Sequence, residues 1–170
     1  MTINDIKTYL TSIKSPFCLF LIGPPLSGKD TFIRQLNFSD TEVISRDEIV
    51  LELSNGKNYN ESFRTVNQKQ VDKILKERIT IASSLKKNVI INMTNLKRKK
   101  RISFQSKFTN FKKIAIIFPI LSLDEYQNRN SIRTNNEGKT ISINIIKDMI
   151  DGYESVDETE NFDKVINFKY

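Results

Sequence analysis

Histidine is absent from all 170 residues. Without imidazole there is no His general base, no His metal ligand and no Ser–His–Asp arrangement, so any proton acceptor must be a carboxylate. Any bound metal must be a hard ion taken by oxygen ligands, which points to magnesium. Cysteine is reduced to one residue, Cys18, inside an apolar run, where it reads as a small buried hydrophobe rather than a nucleophile. No apolar run approaches the roughly 18 residues of a membrane span. The opening stretch, MTINDIKTYLTSIK, carries Asp5 and spaces its apolar residues like a helix, unlike a signal peptide. A cytoplasmic protein is expected, in the host cytoplasm if the source is viral; the Asn-, Ile- and Lys-rich composition fits an AT-rich coding genome.

The hydrophobic share of 38% is enough for one proper core, and the length leaves no room for a second ordinary domain, so residues 1–170 read as a single unit. Charge is unevenly distributed. Residues 151–170 hold six acids and two lysines, a local −4, against a whole-chain net of +7, so residues 1–150 carry +11. A basic body of that size suits a polyanionic acceptor in addition to a nucleotide.

The most informative stretch is GPPLSGKDT at 23–31. It follows the apolar run Phe17–Ile22 and precedes the amphipathic segment Phe32–Leu36, the strand–loop–helix context of a phosphate-binding P-loop. Gly23, Pro24, Pro25, Leu26, Ser27, Gly28, Lys29, Asp30 and Thr31 are the expected nucleotide-binding residues. Gly23 and Gly28 let backbone N–H groups converge on phosphate oxygens, and the helix opening near Lys29 adds its positive end. Lys29 reaches the β- and γ-phosphates as a point charge. These residues predict binding of a nucleoside triphosphate.

The remainder alternates strand and helix. Helix is expected at 3–13, strand at 17–22, helix to about Leu36, strand at 42–44 and a helical turn through Leu53. Asn55-Gly56-Lys57-Asn58 reads as a loop, followed by one long helix from about Glu61 to Leu85 with Val71, Leu75, Ile79, Ala82 and Leu85 on its buried stripe. Strand is expected at 88–92, helix at 97–108, strand at 113–119, helix at 122–131 and a loop at 135–138. Ser142 is a candidate cap for a helix with Ile145, Met149 and Tyr153 on one face, and 164–168 is a last strand. Five short apolar strands between helices imply a parallel sheet covered on both faces.

Four blocks in order, GPPLSGKDT at 23–31, ISRDE at 44–48, NVIINMTNL at 88–96 and DEYQNRNSIR at 124–133, resemble the kinase domain of bacteriophage-type polynucleotide 5′-hydroxyl kinases within the P-loop kinases. With FDKVINF at 162–168, the resemblance spans nearly the whole chain. It implies an α/β fold of P-loop NTPase type, with a five-stranded parallel sheet and a small helical lid at approximately 129–142. It implies an enzyme that uses ATP and Mg²⁺ to phosphorylate the 5′-hydroxyl end of DNA or RNA.

The resemblance makes Asp47 the base that accepts the acceptor hydroxyl's proton; by its position alone Asp47 also reads as the N-cap of the Glu48–Leu53 helix. Arg46 either meets an acceptor phosphate or lies solvated. Arg129 and Arg133, four apart, are lid arginines over the γ-phosphate or a solvated helix face. Thr94 and Asn95 orient Asp47 or the acceptor, or cap the next helix. Lys97 and Arg98 begin a run to Arg101 that is either a phosphate-contacting patch or a solvated face; cations at a helix N-terminus oppose its dipole. The chain departs from the family at three positions. Asp30 stands where a hydroxyl normally touches Mg²⁺, and it is the candidate metal ligand. Val50 replaces an arginine that grips the acceptor's phosphate, and Met93 replaces a carboxylate. Two further readings stay open: a kinase of a small acceptor (a nucleoside monophosphate or nucleotide-sugar), and a non-catalytic ATP-binding module.

Overall fold

A computed structural model describes residues 1–54 and 59–170; the loop expected at Asn55–Asn58 lies outside the described residues. Five strands, β1 (Phe17–Ile22), β2 (Thr41–Ser45), β3 (Asn88–Asn92), β4 (Lys112–Ile117) and β5 (Lys164–Asn167), pair in parallel in the order β2-β3-β1-β4-β5. β1 is central, and every one of its six residues is buried. Its side chains alternate between two cores, as the pleat requires. Cys18, Phe20 and Ile22 face one, with Val71, Leu75 and Ile79. Phe17, Leu19 and Leu21 face the other, with Ile6, Leu10, Phe32 and Leu36. The continuous apolar strands were thus read correctly as buried on both faces.

Eight helices among the described residues cover the sheet: α1 (Ile3–Thr11), α2 (Lys29–Leu36), α3 (Arg46–Leu53), α4 (Tyr59–Thr65), α5 (Gln68–Ser84), α6 (Arg98–Gln105), α7 (Leu123–Glu137) and α8 (Ile143–Asp151). The expected long helix is two. The Asn67 side chain accepts the N–H groups of Lys69 and Gln70, so it caps α5 and separates it from α4. Val71, Leu75, Ile79 and Ala82 are buried as expected, whereas Leu85, at the C-cap, is exposed. α7 runs six residues beyond the expected end at Ser131 and absorbs the expected loop, stopping where Gly138 turns left-handed at φ 64°. In α8 the buried position is Ile146 and not Ile145, and the Ser142 side chain makes no capping bond. No helix among the described residues is long and apolar enough to cross a membrane.

In a parallel sheet all strands end at one edge. Gly23 follows β1, Arg46 follows β2 and Met93-Thr94-Asn95 follow β3, while the register pairs both Leu21 and Ser45 with Asn92. β1 lies between β3 and β4, so the glycine loop emerges where the strand order reverses, the usual ligand crevice of open α/β sheets.

Candidate active site

The P-loop is held by backbone geometry. The Gly23 N–H donates to Thr94 O at 3.0 Å, and Leu26 and Gly28 adopt left-handed φ values of 65° and 81°. A Cβ on Gly23 would stand 2.7 Å from Ser27 Oγ and 2.9 Å from Phe118 Cβ, so this position needs glycine for space. Lys29 opens α2, and its ammonium donates to Gly23 O at 2.9 Å, Pro24 O at 2.7 Å and Ser27 Oγ at 3.3 Å. Desolvation pulls its pKa down to about 8, against the opposing fields of Asp30 and Asp47. Lys29 therefore stays mostly cationic at neutral pH but is poised to lose its proton just above it.

Asp30 accepts a hydrogen bond from Asn92 Nδ2 at 2.8 Å, which turns its carboxylate toward the end of β3. Thr31 lies exposed on α2, its hydroxyl accepting from Arg34 at 3.1 Å, so its side chain does not join the loop. Among the described residues no three acidic or sulfur side chains gather into a metal cage. A single carboxylate beside a triphosphate cradle suits Mg²⁺, which is held by one or two carboxylates plus substrate phosphates.

Asp47 stands in the first turn of α3, and the cap of that helix is Ser45, whose hydroxyl accepts from the Glu48 N–H. The capping alternative for Asp47 is therefore excluded. Its carboxylate accepts from Tyr59 OH at 2.9 Å and from Lys139 Nζ at 2.6 Å. Burial alone raises its pKa, but Lys139, the Tyr59 hydroxyl and Arg133 outweigh that and hold it below the usual aspartate value. Asp47 is ionised and able to accept a hydrogen bond.

α7 carries Arg129 and Arg133, the two arginines expected in a lid, to this edge. Arg129 donates to Leu26 O in the P-loop at 3.1 Å and to Glu125 at 2.7 Å, and its guanidinium lies 5.2 Å from the Tyr170 ring centroid. Arg133, with only 16% of its side chain exposed, pairs with Glu137 at 3.2 Å, and its charge acts on Lys29, Asp47 and Lys139. A solvated helix face is thus excluded for both arginines.

Other expected site residues are committed elsewhere. The Arg46 guanidinium donates to Asp72 and to Gln68 at 2.8 Å on α5, so it does not lie free. Thr94 contributes its carbonyl to the loop. Asn95 is buried at a left-handed φ of 49° and donates to Leu21 O and Ile91 O at 2.8 and 3.1 Å, tying strand ends together. It touches neither Asp47 nor the α6 cap. Lys97 pairs with Glu154 at 3.3 Å and Arg98 with Asp157 at 3.3 Å. Arg101 is fully buried against Glu160. The acidic C-terminal segment thus engages three of the five cations of the run, while Lys99 and Lys100 are exposed. Glu154 also accepts the Arg98 N–H at 2.8 Å, which supplies the anion that the α6 N-terminus lacked in sequence. Val50 is wholly buried and Met93 packs against the same core, so neither faces an acceptor.

Four site residues escaped the sequence reading. Tyr59, Lys139 and Asn92 reach Asp47 or Asp30 from separate elements, and the Tyr170 hydroxyl donates to Ser27 O at 2.7 Å. Only Asn92, inside the recognised NVIINMTNL block, carried any local signal.

A family model described as an AAA domain, AAA_33, matches residues 19–156 and so takes in the P-loop, Asp47, Arg129 and Arg133. The chain belongs to this AAA domain family. No curated protein sequence matches it. Among solved structures, this AAA_33 chain is similar to one chain of the Pnkp1/Rnl/Hen1 RNA repair complex, with 21% identity, a TM-score of 0.66 and coverage of 83% of this chain and 45% of that one. A second Pnkp1/Rnl/Hen1 structure matches at 21% identity, a TM-score of 0.55 and coverage of 69% and 40%. The chain therefore spans less than half the length of those two. It is also similar to the PezAT chromosomal toxin-antitoxin system of Streptococcus pneumoniae, with 17% identity, a TM-score of 0.65 and coverage of 98% and 76%. At these identities the likeness is one of fold, and that fold is of the P-loop kinase type.

Proposed function

We propose that this AAA_33 domain is an ATP-dependent kinase that transfers the γ-phosphate to the 5′-hydroxyl end of DNA or RNA. The observation that carries the reading is the convergence of Lys29, the ionised Asp47 and Arg133 at one sheet edge. In the transfer, the acceptor oxygen bonds to the γ-phosphorus as the bond to the β-phosphate bridging oxygen breaks. ADP departs, and the hydroxyl proton passes to Asp47. Lys29 holds the β- and γ-phosphates, and Arg133 and Arg129 meet the charge spread over the transferring group. Asp30 would hold Mg²⁺, which when bound neutralises the phosphate oxygens. The likeness to chains of an RNA repair complex supports a nucleic-acid acceptor.

One observation favours a small acceptor instead. Arg46, Lys97 and Arg98, the cations expected along a polynucleotide track, are engaged by Asp72, Glu154 and Asp157. Incubation with labelled ATP and 5′-hydroxyl oligonucleotides, nucleoside monophosphates or buffer alone separates the readings. Label on the oligonucleotide supports the first; label confined to the monophosphates selects the second.

A further inference from the structure

Lys139 lies in the turn after α7, set there by the left-handed Gly138 and by Asn130, whose side-chain amide bonds both Ile141 O at 2.7 Å and the Ile141 N–H at 3.1 Å. Its side chain is only 10% exposed, and the ammonium sits 2.6 Å from Asp47 Oδ2 and 3.5 Å from the Tyr59 ring centroid. A lysine so placed restrains the base. It draws electron density from the carboxylate that must take a proton and occupies Oδ2, while the Tyr59 hydroxyl occupies Oδ1. A neutral hydroxyl that displaces it leaves a desolvated ammonium without a counter-ion, which is strongly unfavourable. An acceptor bearing its own anion beside the hydroxyl gives the ammonium a new partner and releases Asp47. The other expected acceptor-binding cations, Arg46, Lys97 and Arg98, already have acidic partners, and Val50 is in the core.

We propose that Lys139 is the acceptor-selecting residue of this site: it restrains Asp47 until a phosphate of the acceptor takes over its ammonium. Acceptors with a phosphate next to the reacting hydroxyl are then favoured, and water, which brings no anion, is refused, so ATP is not wasted by hydrolysis. The inference rests on the kinase reading and adds a source of specificity to it.

The test compares a 5′-hydroxyl dinucleotide having an ordinary phosphodiester with the same dinucleotide having a neutral methylphosphonate linkage. Acceptor-free ATP hydrolysis is measured alongside. Wild type should prefer the charged dinucleotide in kcat/KM, and Lys139→Met should reduce that preference by about 10- to 100-fold, the usual worth of a charge-assisted contact. Lys139→Arg should keep the preference. Lys139→Gln serves as a second neutral variant if thermal unfolding shows that the Met protein is not folded. An unchanged preference in the folded neutral variants, including a uniform loss of rate on both dinucleotides, overturns the proposal. Should wild type phosphorylate neither dinucleotide, the nucleic-acid reading has failed separately, and ATP hydrolysis decides. A rise of several-fold in Lys139→Met supports the restraint, and an unchanged rate overturns it.

Discussion

At the scale of single residues, Lys29 and Asp47 are tuned in complementary directions. Desolvation lowers the Lys29 pKa to about 8, while Lys139, Tyr59 and Arg133 overcome burial to keep Asp47 ionised. ATP attracts the protonated form of Lys29, and binding draws its pKa back upward. The sign follows: affinity is full below about pH 8 and declines as pH rises through that value, by up to tenfold per unit. Titration of ATP binding by calorimetry between pH 6.5 and 9.5 checks this, and Lys29→Ala should lose both the affinity and its pH dependence. An affinity that is flat across pH 8 in wild type would remove Lys29 from the phosphate site. Lys29 and the glycine loop were legible because their spacing is local. Lys139 was not, because it reaches Asp47 across 92 positions of chain, and no local pattern encodes that pairing.

At the scale of elements, α7 carries the two arginines of the proposed lid. Its four-residue spacing puts Arg129 on the P-loop carbonyl of Leu26 and Arg133 one turn on, nearer Asp47. In the proposed reaction Arg133 meets charge that grows in the transition state, so Arg133→Ala should lower kcat by roughly 10²- to 10⁴-fold with ATP affinity nearly intact. Steady-state kinetics paired with equilibrium ATP binding distinguishes this from a pure loss of affinity, which would make Arg133 a ground-state clamp. Sequence periodicity located α7 but ended it at Ser131, since Asn135 and Asn136 are turn formers by composition. Gly138 is the actual stop, and Asn130 ties the following turn back to the helix. The opposite error occurred at α4 and α5, where one periodic stripe concealed a cap at Asn67.

At the scale of the whole molecule, the uneven charge has a structural use. The acidic segment after α8 folds onto the basic start of α6, where Glu154 caps the helix and Glu160 takes both Arg101 Nε and Nη2, at 2.7 and 2.6 Å. Composition displayed the two charge blocks but not the contacts between them, and the −4 of residues 151–170 still leaves the chain at +7. Arg101→Leu leaves Glu160 buried and unpaired and should destabilise the fold by about 3–5 kcal/mol, read from urea denaturation. Adding Glu160→Leu should restore much of that loss; equal instability of the single and double variants would show that the pair contributes through packing alone. Beyond that pair the chain runs through β5, which lies beside β4, and ends with the Tyr170 hydroxyl on Ser27 O of the P-loop. The most direct test of that site as a kinase centre is transfer from labelled ATP to a 5′-hydroxyl oligonucleotide by wild type and Asp47→Asn under single-turnover conditions, with ATP binding measured in parallel. The substitution preserves size and, because Ser45 is the cap, the helix. Wild type should label the oligonucleotide, and Asp47→Asn should bind ATP normally while transferring roughly 10²- to 10⁴-fold more slowly. Transfer at the wild-type rate by Asp47→Asn would contradict the assignment of Asp47 as the base.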